Sequence, residues 1–302
     1  MVLPRFPEFI KIDLTHIEEI ASYTSKFPPY NDFEFLSLWT YNSQEQNAAS
    51  ILNGNLVVKM QDFTTSDFFY SFLGSNHVKE TITTLLAKSK EAGLGALRLV
   101  PEANLLNTSD LENYFKIEED PDSFDYILSV ADIAELTGSK YHDKRNLVKK
   151  FKKLHPTHSI ELLDLREEKT RQHILDLFTR WEKYKGKDKT DTDTELQAIK
   201  RLFDVVDLLH LKGIGIYVDG VLVGFSTYHT VHDNFAILSF QKGDTSYPGI
   251  YEYLNHESAK HLRTLGSTHI NYEQDLGIAG LRKAKQLWRP VTFHKKYTIG
   301  EK

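Results

Sequence analysis

NFAILSFQKGDTSYPGIYEYLNHESAKHLRTLGSTHINY, residues 234–272, is the stretch on which the fold turns. Its first ten residues form a β-prone run that stops at Gly243. Ile250, Leu254, Ser258, Leu262 and Leu265 then recur at helical spacing, which predicts an amphipathic helix burying all five. THINY at 268–272 is a second β-prone run, so the segment reads strand, helix, strand. Upstream, Asp219-Gly220 divides two more β-prone runs and predicts a two-residue hairpin, because both residues tolerate positive φ.

The first half of the chain carries the same order. Asn53-Gly54 predicts a hairpin 166 residues before Asp219-Gly220. DFFYSFLG (67–74) is a strand ending at a glycine, and Val78, Ile82, Leu85 and Leu86 mark the following helix. ALRLV (96–100) precedes THINY by 172 residues. Ile12-Asp13-Leu14 opens an amphipathic stretch, as Leu163-Asp164-Leu165 does 151 residues later, and further helical segments lie at 32–41 and 195–209. The drift in offset fits loop insertions in two copies of one unit. LHPTHS at 154–159 interrupts the pattern with a proline, which sets expected domains at 1–153 and 154–302. The order of elements resembles that of GNAT acyltransferases. The expected fold class is therefore α/β (α+β): two tandem GNAT-like domains, each a splayed mixed sheet flanked by helices. A splay leaves strand-edge groups that a ligand can use.

Composition removes several chemistries. With no cysteine, the chain has no disulfide, thiolate nucleophile or Cys-ligated metal, and the 13 histidines show no convincing ligand spacing, so no metal is expected. The N-terminal twenty residues lack the apolar core of a signal peptide, and no run approaches the ~20 apolar residues of a membrane span, so a cytoplasmic location is expected. Net charge is −5, yet charge is blocked: residues 102–135 hold ten acids and one Lys, whereas 140–153 hold seven Lys/Arg and one Asp. Trp39, Trp181 and Trp288 read as core, with Trp181 and Tyr184 as cleft candidates.

Two segments, LTGSKYHDKRNLVKKF (136–151) and INYEQDLGIAGLRKAKQLWRPV (270–291), resemble the signature of the phosphatidylglycerol lysyltransferase C-terminal-domain family, distantly similar to Fem-type aminoacyltransferases. The resemblance implies transfer of an acyl or aminoacyl group to an amine or hydroxyl, with aminoacyl-tRNA the preferred donor. No tightly bound cofactor is expected; aminoacyl-tRNA or acyl-CoA would be the co-substrate. Alternatives are an acyl-CoA-dependent N-acyltransferase and a non-catalytic GNAT-fold binding protein. The acceptor stays open among small amines, peptides and lipid head groups, as does oligomeric state.

Acyl transfer needs a positioned nucleophile, a proton acceptor and stabilisation of the tetrahedral oxygen. Glu273 and Asp275 directly follow THINY and are the catalytic candidates, in a C-terminal-domain cleft. Arg282 and Lys285, three apart on the next helix, are expected to face one anion together. Lys144 and Arg145 stand near the start of a helix whose buried stripe is expected to be Leu147, Val148, Phe151 and Leu154. Cations there oppose the helix dipole, which suggests an anionic ligand, with Asn146 beside it. Tyr247 and Gly249 occupy the place of the pyrophosphate loop of acetyl-CoA-using GNAT enzymes, of which only Gly249 remains, and Pro248 removes one donor.

Overall fold

The computed structural model describes residues 2–42, 45–62, 65, 67–106, 108–185 and 189–302; the side chains of 184–191, Tyr184 among them, lie outside the described set. The chain runs through β1 (Ile10–Lys11), α1 (Ile17–Thr24), α2 (Phe35–Thr40), β2 (Ala48–Leu52), β3 (Asn55–Gln61) and β4 (Phe68–Leu73). It continues with α3 (Val78–Glu91), β5 (Leu97–Pro101), β6 (Phe115–Glu119), β7 (Asp125–Ser129), α4 (Val130–Glu135) and α5 (His142–Leu154). Next come β8 (Ser159–Leu163), α6 (Glu168–Lys185), α7 (Lys189–Asp204), β9 (Lys212–Val218), β10 (Val221–Thr230) and β11 (Phe235–Gly243). The last elements are α8 (Ile250–Thr264), β12 (His269–Asn271), α9 (Ala279–Gln286), β13 (Thr292–His294) and β14 (Lys296–Glu301).

Both hairpins form where the turn residues predict them. Asn53 and Gly54 have φ of 54° and 79°, Asp219 and Gly220 of 49° and 79°, the double positive φ of a type I′ turn. The turns set the registers Leu52↔Asn55 and Val218↔Val221.

Two compact units emerge, and neither is continuous in sequence. The first comprises residues 1–126, 274–283 and 293–302; the second comprises 127–273 and 284–292. Residues 127–153, which the sequence reads as the close of a first domain, pack in the second unit. The reason is edge pairing. In the second unit β12 runs parallel to β11 only from Phe235↔His269 to Ile237↔Asn271, and its other edge is taken by β7, antiparallel through Leu128↔Ile270. In the first unit β4 ends one sheet, β1-β2-β3-β4, and β5 begins another, β5-β14-β6. There the final strand β14 fills the place between β5 and β6, pairing Tyr297 with Val100 and with Glu119. An unpaired strand edge takes whatever strand can reach it, however distant in sequence. The second unit is thus a mixed α/β sheet, whereas the first divides its strands between two antiparallel sheets flanked by helices.

Val57, Phe72, Ile82, Leu85, Val100 and Ile299 centre the first core; Phe151, Ile216, Tyr253, Leu254, Leu262 and Ile270 centre the second. Three stripe residues depart from expectation, Leu147 being only half-buried. Leu265 is 50% exposed because α8 stops one residue earlier, and Leu154 is 51% exposed because it ends α5. Trp181 and Trp288 are buried.

Candidate functional site in the first unit

A cleft of about 200 Å³ opens in the first unit. Asp32 enters it from the turn before α2, Asp62 from the end of β3, Arg98 from β5, Asp122 from the turn before β7, and Gln274 and Leu276 from the segment after β12. Arg98 pairs with Asp62 at 2.6 Å and lies 5.0 Å from the Phe69 ring, so one wall is fixed by charge and by an aromatic face. Leu99, also lining, has φ of 54° within β5, opposite a register shift between Tyr297 and Ile299 of β14. A leucine in that region is strained, and such strain gathers at functional sites.

Behind the cleft lies a buried charge triad. Lys296 has no exposed surface; its ammonium is 2.7 Å from Asp125 and also pairs with Asp32. The Asn31 amide donates to the second Asp125 oxygen at 3.0 Å. Burial alone would lower the Lys296 pKa, but the two carboxylates raise it above its ordinary value. Burial pushes the Asp32 carboxyl upward against the pull of Lys296. Asp32, which faces the cleft, is thereby made easier to protonate than an ordinary carboxylate. Nearby in sequence, burial raises Glu34 to about 7.

Asp275 is fully buried, and its carboxylate is committed. It accepts from the Tyr126 hydroxyl at 2.6 Å, from Arg282 Nε and Nη2 at 2.8 Å each, and from the Gly277 amide at 2.9 Å. Burial would raise its pKa, but the Arg282 and Tyr126 hydrogen bonds outweigh burial and hold it low. A carboxylate so held is a poor proton acceptor. Instead it fixes Arg282, which also grips Asp122 of the cleft wall. Gly277 has φ of 71°, which favours glycine, and lies against the Asp122 carboxylate, 2.8 Å from where a Cβ would stand. Glu273 is half-buried, with φ of 58° and its amide bonded to Asn271 Oδ1 at 2.8 Å.

The expected anion-binding residues turn to partners within the protein. Lys285 is buried and donates to the Tyr272 carbonyl, so it does not share a ligand with Arg282. Lys144 is buried, 3.1 Å from Glu252 and 4.3 Å from the Trp288 ring. Arg145 donates to the carbonyls of Leu136 and Gly138 in the turn that follows α4. Asn146 Nδ2 lies 2.9 Å from His142 Nε2. Tyr247 packs against His155 at 5.0 Å between ring centres. Gly249 has φ of 88°, and a Cβ there would sit 2.4 Å from the Leu147 carbonyl oxygen. The start of α8 is therefore covered by α5 backbone, where the sequence suggests a donor's phosphates. What sequence reading missed is the outer face of α5: Lys149, Lys150, Lys152 and Lys153 are exposed. Their spacing relative to buried Val148 and Phe151 was the available signal.

Comparison with known proteins adds a family to this geometry. The family model for the phosphatidylglycerol lysyltransferase C-terminal region matches residues 26–300. The chain belongs to that family. A conserved protein of unknown function from Bacteroides thetaiotaomicron VPI-5482 is similar at 27% identity and a TM-score of 0.85, covering 97% of this chain and 99% of that one. The C-terminal domain of a lysylphosphatidylglycerol synthetase, so assigned, from Agrobacterium fabrum shares the fold at 11% identity and a TM-score of 0.65, covering 95% and 92%. L-PGS from Bacillus licheniformis does so at 12% identity and a TM-score of 0.62, covering 100% and 94%. No curated protein matches the chain.

In the second unit β11 and β12 pair over only three residues and then part beyond Ile237 and Asn271. Three side chains close a ring there. Gln241 Nε2 donates to Asn255 Oδ1 at 2.9 Å, Asn255 Nδ2 to the Tyr272 hydroxyl at 3.1 Å, and that hydroxyl to Gln241 Oε1 at 2.7 Å. Each member both donates and accepts, so the ring is satisfied without a ligand. Burial raises the Tyr272 pKa, keeping the hydroxyl protonated as the donor the ring requires. Among the described residues no group of three or more His, Asp or Glu side chains is arranged to hold a metal, and no helix is long and apolar enough to cross a membrane.

Proposed function

We propose that this chain is an aminoacyltransferase that draws its aminoacyl group from aminoacyl-tRNA and passes it to an amine or hydroxyl. The observation carrying this reading is the outer face of α5. Lys149, Lys150, Lys152 and Lys153 are exposed, and none forms an ion pair among the described residues. At 3.6 residues per turn they span roughly 160° of arc, opposite the buried Val148 and Phe151. A ridge of uncompensated ammonium groups on a chain of net charge −5 suits a polyphosphate backbone, which rewards local rather than global charge.

The chemistry follows from the first-unit cleft. Transfer from an ester to an amine needs no enzyme nucleophile, only position, a proton acceptor and charge stabilisation. Asp32 faces the cleft and is the carboxylate suited to take the amine proton. Asp275 acts as a positioning residue, through Arg282 to Asp122.

The test is binding of a mixed aminoacyl-tRNA pool across a salt series, for the wild type and for Lys149→Glu, Lys150→Glu, Lys152→Glu, Lys153→Glu combined. The expected log–log slope of affinity against salt is about −3 to −4 for four phosphate contacts, flattening in the variant. Wild-type binding that ignores salt, or binding unchanged in the variant, would refute the reading.

A further inference from the structure

The opening between β4 and β5 is occupied by the protein's own amides. β4 is the last strand of its sheet, so among the described residues its outer edge has no strand partner. Asn104, 1% exposed in the turn after β5, takes that place. Its Nδ2 donates to the Phe72 carbonyl at 2.6 Å, and its Oδ1 accepts from the Gly74 amide at 3.1 Å. A carbonyl and an N–H two residues apart on one edge are the groups that a neighbouring strand, or an extended amide-bearing ligand, pairs with.

A second amide sits in the loop that leads into α3. Asn55, with no exposed surface, donates Nδ2 to the Asn76 carbonyl at 2.7 Å and accepts the Asn76 amide on Oδ1 at 3.1 Å. The same Nδ2 lies 3.1 Å from Thr81 Oγ1. Gly74 makes the room: its φ is 152°, and a Cβ there would lie 2.1 Å from Asn55 Oδ1. Loop amides ahead of a helix are where a pyrophosphate would be held, and here the Asn76 amide is already bonded.

We infer that Asn55 and Asn104 are built-in substitutes for a ligand, and that they exclude the acyl-CoA class of donor from the first unit. Coenzyme A carries two amides on an extended arm, followed by a pyrophosphate. An arm laid along this edge would need the Phe72 and Gly74 groups, and a pyrophosphate ahead of α3 would need the loop amides. To enter, coenzyme A would have to displace two buried side chains whose hydrogen-bonding capacity on this edge is filled. Asn104 and Asn55 are specificity-determining residues, and the inference stands whether or not the chain binds tRNA.

The experiment titrates coenzyme A to millimolar concentration into the ¹⁵N-labelled full chain, following the Gly74 and Asn76 amides. Neither resonance is expected to move. A saturable shift at either, showing that the ligand displaces the asparagine, would overturn the inference. In Asn104→Ala the Gly74 amide should exchange about tenfold faster or more, having lost its buried acceptor. Exchange at the wild-type rate in a folded variant would equally overturn it. If Asn104→Ala fails to fold, Asn104→Ser tests the same amide, and the wild-type titration decides by itself.

Discussion

Burial holds the His229 imidazole neutral and pulls its pKa down to about 4 from 6.5. Glu34 is displaced the other way, from 4.5 to about 7, and again burial is the cause. Both shifts disfavour charge, but they bear on pH in opposite senses. Between pH 6.5 and 4 unfolded His229 binds a proton that the folded residue refuses, so its unit loses stability as pH falls, by up to about 3 kcal/mol. Between pH 4.5 and 7 folded Glu34 keeps a proton that the unfolded residue releases, so its unit loses stability as pH rises. Part of the Glu34 side chain meets solvent, which limits that loss to about 2 kcal/mol. Thermal unfolding from pH 4 to 8 should show the alkaline-side loss removed in Glu34→Gln and the acid-side loss removed in His229→Gln. Unchanged pH profiles in both variants would disprove these assignments. Neither shift is visible in sequence: a lone His on a strand and a Glu at a helix start have ordinary expectations until packing removes their water.

At the level of elements, glycines separate what local chemistry decides from what packing decides. Gly220 has φ of 79° and nothing within 4 Å of the place a Cβ would take, so Gly220→Ala should cost about 1 kcal/mol, the left-handed penalty alone. Gly249 has a similar φ of 88°, but its Cβ would strike the Leu147 carbonyl oxygen at 2.4 Å. Gly249→Ala should cost about 3 kcal/mol or more, read as a fall in denaturation midpoint well beyond that of Gly220→Ala. Equal losses would show that the approach of α5 to Gly249 is not tight. The hairpin glycine was legible because a two-residue turn between β-prone runs is local chemistry. Gly249 read as a relic of a phosphate loop, since nothing in its neighbours announces that α5 lies against it. Lys144 went the same way: its helix was legible, but its contact with Glu252 comes from a segment 108 residues away, whereas Arg145 folds back onto the carbonyls of Leu136 and Gly138 just upstream.

For the molecule as a whole, the units are assembled from interleaved segments, and that has a direct consequence. A fragment of residues 1–153 matches the domain suggested by sequence repetition, yet it lacks β14, the middle strand between β5 and β6, and with it Lys296 and the buried Ile299. Such a fragment is expected to unfold without a cooperative transition, and a sharp melt like that of the full chain would count against the interleaved division. The periodic elements, the two type I′ hairpins, the order of strands and helices in each half and the family all follow from sequence, because they rest on side-chain period, turn chemistry and local pattern. Folding in three dimensions settles the rest: which strand completes which sheet, that the segment after β12 lines a first-unit cleft, and that Asp275 is a clamped anion. Those outcomes depend on backbone edges, buried charges and excluded volume contributed largely by residues far apart in the chain: Arg282 is seven residues from Asp275, but Tyr126, which completes the hold on it, is 149 residues away.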